Sequence, residues 1–173
     1  MRLEYLWRGL PGHPIHPPLT DAVIGIWTFA VIAAVLSALG VVEEGMAQAW
    51  WVAVVAGLVV SAVTATTGWI DWFRIEPGTP LRRTAFTHGL VIAITNVFFA
   101  LAAILGHDDF SERAIGALPF VLTLIGYGLL TVGGWLGGTI VFVHGMRVLN
   151  LVDEPTRRAA APAVTPEKEA ADR

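Results

Sequence analysis

Four stretches of this chain, Ala22–Val42, Ala47–Ile70, Ala85–Gly106 and Ile115–Val143, each run for more than 20 residues without an Asp, Glu, Lys or Arg. A helix rising 1.5 Å per residue crosses a hydrocarbon layer of about 30 Å in roughly 20 residues, so each stretch is long enough to span a bilayer. Membrane β-strands would be about half as long and would alternate apolar with polar residues, which none of these does. In lipid every backbone N–H and C=O must find an internal partner, and helices are the remaining solution. The composition agrees: 55% hydrophobic and 14% charged residues leave too little polar sequence to wrap 173 residues as a water-soluble globule. The expected fold is all-α, an integral membrane four-helix bundle. Residues 1–19 form a short entry segment, 20–146 the transmembrane domain and 147–173 a tail.

Charge sets the expected orientation. Ten of the 11 basic residues fall in the N-terminal segment, in the Arg74–Arg83 connection or in the tail, whereas the other two connections hold only Arg113 among five carboxylates. The positive-inside rule then places both termini in the cytoplasm and suggests the inner membrane of a bacterial cell. Trp50, Trp51, Trp69 and Trp72 stand near the ends of the second span, where indole rings suit the interface. The first span is longer than a signal-peptide core and no small-residue cleavage site follows it, so it is expected to stay in the chain. With no Cys, disulfides, thiolate metal sites and an iron–sulfur cluster held by this chain alone are excluded. The tail beyond Asp153, rich in Pro, Ala, Glu and Arg, has nothing to build a core from and reads as a disordered extension.

Ionisable residues gather at one end. His13, His16, Asp21, Asp71, His88 and His144 all fall at the face that topology assigns to the cytoplasm; His107 alone among the histidines lies at the other. Such groups near a bilayer core are costly and usually functional. The prolines of GHPIHPP favour an extended three-residue turn that sets His13 and His16 on one side, although proline also starts helices well. On the second span Gly57, Thr64, Thr67, Gly68 and Asp71 share a stripe; on the third, His88 and Thr95 align, with Asn96 nearby. Gly126, Gly133, Gly137 and His144 return to nearly one face of the fourth. This glycine groove either lets another helix pack closely or admits a flat ring. A weak internal repeat pairs Thr20-Asp21 and Thr28 with Thr87-His88 and Thr95 at an offset of 67, and Gly68-Trp69 with Gly134-Trp135 at 66. Two duplicated hairpins would put Asp21 and His88 at equivalent depths.

Three readings of the cluster stand side by side. In one, His88 and His144 ligate a b-type haem, with Gly133 and Gly137 making room for the ring. In the second, His16, Asp21, Asp71 and His88 bind a divalent metal. In the third, the cluster is a hydrogen-bonded network that fixes helix packing, and it could relay protons.

The segments GHPIHPPLTDAVIGIWT, TATTGWIDW, THGLVIAITN and GYGLLTVGGWLGGTIVFVHG, in this order, resemble the bacterial membrane-protein family called domain of unknown function 2231. The resemblance covers Gly12–Met146. It implies a four-helix membrane domain, and some members of the family are fused to Rieske-type iron–sulfur domains. This chain has no such domain and none of the Cys that it needs, so a redox association by resemblance is indirect.

The functional expectation is a small redox-associated subunit, for haem or quinone, or an assembly subunit, rather than a self-sufficient enzyme. Its partners would be the lipid bilayer and a membrane or redox protein or a second copy of itself. A cation or proton pathway is the second class and a purely structural role the third. No nucleophile–base pair, phosphate-cradling loop or nucleic-acid-binding basic surface stands out.

Overall fold

The computed structural model describes residues 5–10 and 13–148. Its order is α1 (Tyr5–Arg8), a two-residue antiparallel ladder of β1 (Gly9–Leu10) and β2 (His13–Pro14), α2 (His16–Ala38), α3 (Glu43–Trp72), α4 (Pro80–Leu105), α5 (His107–Glu112) and α6 (Ala117–Gly138), which ends in a π-helical turn over Thr139–Val143. Four of these, α2, α3, α4 and α6 with its π turn, are long and apolar enough to cross a membrane. The chain is a four-helix membrane bundle.

Three of the four helices, α2, α3 and α4, begin earlier than the uncharged stretches suggest, because polar residues in a first turn are tolerated where they cap or precede it. Pro17 and Pro18 sit in the first turn of α2, where a missing N–H costs no hydrogen bond, so His16 belongs to the helix. This corrects the extended reading of GHPIHPP. His16 is half-buried on α2 while His13 is exposed on β2, and the two do not share a side. Thr79 caps α4 by accepting the Arg82 N–H, with Pro80 following it. Asp109, on the short α5, accepts the Gly116 N–H ahead of α6. Of the tail, only Arg147 and Val148 are described; the expectation of disorder concerns residues 149–173, which lie outside the described residues.

Many small residues lie inside the bundle and many large aliphatic ones outside it. Ala30, Ala33, Ala34, Ala53, Ala102, Gly57, Gly126 and Gly133 are buried, while Phe29, Ile32, Val59, Leu90, Ile94 and Val97 are exposed. Lipid tails are as apolar as leucine, so apolar burial does not drive these helices together. Small residues do, because they let the backbones approach to close van der Waals packing.

Large side chains fill the notches that the glycines leave. Trp27 on α2 lies over Gly57 of α3, donates its indole N–H to the Val54 carbonyl at 3.3 Å, and stacks on Phe99 of α4 with centroids 4.1 Å apart and planes 10° from parallel. Phe99 in turn fills the notch at Gly126 of α6. Trp50 donates to the Thr123 hydroxyl at 3.0 Å. Trp27, Phe99 and Val54 are fully buried and fill the middle of the bundle, and Trp50 is fully buried nearer the start of α3.

These contacts reveal a duplication in a register other than the one the sequence suggested. The closest packing joins α2 to α3 and α4 to α6, two hairpins. Trp27 against Gly57 repeats as Phe99 against Gly126, and His16 against Gly68 repeats as His88 against Gly137. In each case the residues on α2 and α4 are 72 apart and the glycines on α3 and α6 are 69 apart. All five buried residues of α6, Pro119, Thr123, Gly126, Leu130 and Gly133, follow buried residues of α3 at that 69-residue spacing: Trp50, Val54, Gly57, Ser61 and Thr64. The offsets of 67 and 66 are therefore incorrect. Asp21 is exposed while His88 is half-buried, and Gly134 faces open space where Gly68 faces an imidazole. Equivalent residues that touch one another lie on the pseudo-twofold axis, and Trp27 stacked on Phe99 marks it.

Candidate functional site

At the end of the bundle where α2 begins and α3 ends, the His16 ring meets Thr67, one helical turn before Asp71 on α3. Asp71, at the last turn of α3, is buried. His16 comes from the first hairpin and His88 from the second, as structural counterparts near the axis.

The two imidazoles are held in the same way. The Nδ1 of His88 lies 2.8 Å from the Gly133 carbonyl, and that of His16 lies 3.1 Å from the Thr64 carbonyl and 3.0 Å from the Thr67 hydroxyl. A carbonyl only accepts, so each Nδ1 carries the proton and donates it. Thr67 donates its own hydroxyl to the Thr64 carbonyl at 2.7 Å, which leaves its oxygen to accept from His16. In the neutral ring each Nε2 then carries a lone pair, and among the described residues neither Nε2 has a hydrogen-bond partner. A histidine whose Nδ1–H is fixed by a carbonyl presents Nε2 in one direction as an acceptor or ligand.

The other expected site residues are arranged differently. The Nε2 of His144 lies 3.2 Å from the Thr84 hydroxyl, which itself donates to the Pro80 carbonyl. The Thr84 hydroxyl thus engages the His144 Nε2, the nitrogen expected to ligate. Gly133 and Gly137 do not leave room for a porphyrin: a Cβ at Gly133 would meet Ile92 at 2.5 Å, and one at Gly137 would meet the His88 ring at 3.4 Å. The groove is filled by the protein's own side chains, and a haem between His88 and His144 draws no support from it. Asp21 is exposed, away from the pair. Among the described residues no group of three or more His, Cys, Asp or Glu side chains is arranged to hold a metal ion, and the metal set His16, Asp21, Asp71 and His88 draws no support.

Sequence reasoning missed two participants. Thr84 precedes His88 by one helical turn, and that spacing could have pointed to it. Trp27 left no signal, because a tryptophan inside an apolar span reads the same whether it faces lipid or an opposing glycine.

The family described as "Predicted membrane protein (DUF2231)" matches residues 12–150. No curated protein and no solved structure matches the chain.

Proposed function

Since the chain belongs to the DUF2231 family of predicted membrane proteins, we propose that it serves as a small redox-associated subunit of the bacterial inner membrane, whose His16–His88 pair receives a quinol head group at the cytoplasmic face. The observation that carries this reading is the pair of Nε2 acceptors, one from each hairpin, both fixed by a carbonyl behind the ring. A quinol has two hydroxyls on opposite sides of one ring, and a pseudo-twofold site offers two equivalent acceptors for them. Such a ligand, when bound, supplies two electrons and two protons. The chain's part is to accept the hydroxyl hydrogen bonds on the two Nε2 atoms, each ring being held in place by a carbonyl behind it. The electron acceptor would be a partner protein, because this chain has no Cys for an iron–sulfur cluster.

The proposed orientation rests on the positive-inside distribution of ten of the 11 basic residues. A cation or proton pathway through one copy draws no support, since fully buried Trp27, Phe99 and Val54 fill the mid-bundle. A structural role is favoured by one observation of its own: both histidines and the filled glycine notches tie helices together.

Titration of a short-chain quinol into the detergent-solubilised protein under anaerobic conditions, followed by isothermal calorimetry, tests the reading. Saturable binding is expected, with affinity reduced at least tenfold in His16→Leu and in His88→Leu and unchanged in His144→Ala. Equal affinity in all four proteins, or none in the parent, refutes it and leaves the structural role. A Soret band in the purified parent would overturn it in favour of haem.

A further inference from the structure

A second site lies on the outside of the bundle at the same end. A cleft of about 310 Å³ between the end of α3 and the first turns of α4 is lined by Trp72, Gly78, Arg82, Arg83, Phe86 and Thr87. Its volume is at the lower end of the ~300–1,000 Å³ typical of small-ligand sites. We propose that this cleft binds the phosphate of an anionic phospholipid from the surrounding leaflet.

The basic groups are presented in two ways. Arg82 is half-buried, lies 4.1 Å above the Trp72 ring centroid, and donates from Nη1 to the carbonyls of Trp72 and Ile75. Those bonds fix the guanidinium plane and, among the described contacts, leave Nε and Nη2 free for an anion. Arg83 beside it is exposed. The connection and the start of α4 carry Arg74, Arg82 and Arg83 against the single carboxylate Glu76, so the local balance is positive. Basic pockets between helices at a membrane face attract lipid phosphates for this reason.

The apolar part of the surface distinguishes a lipid from a free phosphate. Phe86 borders the cleft, and Leu90, Ile94 and Val97 follow it on α4 at spacings of four, four and three residues, all exposed. They form one strip running from the cleft toward the bilayer centre, where an acyl chain attached to the bound phosphate would lie. Trp72 and Phe86 meet at 6.0 Å at the height where aromatic rings favour the interface. The larger cleft at the opposite end, about 540 Å³, is bordered by Glu43, whose carboxylate repels a phosphate. Phosphate binding in the α3–α4 cleft does not depend on a quinol at the His16–His88 pair.

The test compares thermal unfolding of the full chain in maltoside micelles containing phosphatidylglycerol, phosphatidylcholine, or inorganic phosphate without lipid. A ligand that binds only the folded state raises the midpoint. Phosphatidylglycerol is expected to raise it by several degrees more than phosphatidylcholine, with inorganic phosphate giving no increase. Arg83→Gln should lose most of that difference and Arg83→Lys keep part of it. Arg113→Gln, on an exposed ion pair at the other end, should keep it in full. Because Arg83 is exposed, its substitution leaves the packing intact. Equal effects of the two lipids, or an unchanged difference in Arg83→Gln, would overturn the proposal; a matching effect of inorganic phosphate would replace the lipid with a free anion.

Discussion

Substituting Gly57 with alanine adds one methyl group where the structure has no room for it. A Cβ there would stand 2.2 Å from Nε1, 2.5 Å from Cδ1 and 2.8 Å from Cε2 of Trp27. All three atoms belong to a rigid ring that is fully buried, stacked on Phe99 and hydrogen-bonded to the Val54 carbonyl, so the ring cannot swing aside without loss. Overpacking of this kind costs about 1–3 kcal/mol. Displacing the indole N–H from its acceptor adds about 1 kcal/mol or more. Gly57→Ala should therefore destabilise the bundle by about 2–4 kcal/mol. The pseudo-equivalent Gly126 supplies the internal comparison. A Cβ there would lie 3.1 Å and 3.2 Å from the edge of Phe99, distances that a few tenths of an ångström relieve, and about 1 kcal/mol or less is expected. At Gly128 nothing lies within 4 Å, and alanine should change stability by less than about 0.5 kcal/mol. Equilibrium unfolding in mixed micelles, followed by tryptophan fluorescence, gives the three values. If Gly57→Ala falls within about 0.5 kcal/mol of Gly128→Ala, the tight seating of Trp27 on α3 is wrong, and with it the pseudo-axis.

Two further outcomes are expected. Thr123→Val, nearly isosteric, strips the fully buried Trp50 of its acceptor and should cost about 1–3 kcal/mol in the same unfolding assay; a loss below about 0.5 kcal/mol would mean that Trp50 finds another partner. Reporter fusions at Gly45 and at Asp108 should both read as external, and a cytoplasmic reading at either would invert the assignment of the His16–Asp71–His88 end.

The four spans were legible in the sequence because spanning is a local property. An uncharged run of sufficient length answers the bilayer's demand for apolar surface and internal hydrogen bonding, whatever its neighbours do. The polar end was legible too, since His16, Asp71, His88 and His144 are conspicuous in such a background, and the polar stripe of Thr64, Thr67, Gly68 and Asp71 does face protein. What each of these residues touches was not. In a soluble helix the buried face is the apolar one, but here lipid and core are equally apolar, and hydropathy cannot tell Trp27, seated on Gly57, from Phe29, exposed to lipid. The repeat was misregistered for the same reason: chance matches among apolar residues outweighed the pairing of a large side chain on one helix with a glycine on the next. Only the packed structure decides that pairing, because a notch on α3 or α6 is filled by whichever side chain the neighbouring helix brings to its depth. By that geometry the glycines near His88 are filled by the protein's own side chains, the Nε2 of His144 is engaged by Thr84, and His16 becomes the structural counterpart of His88.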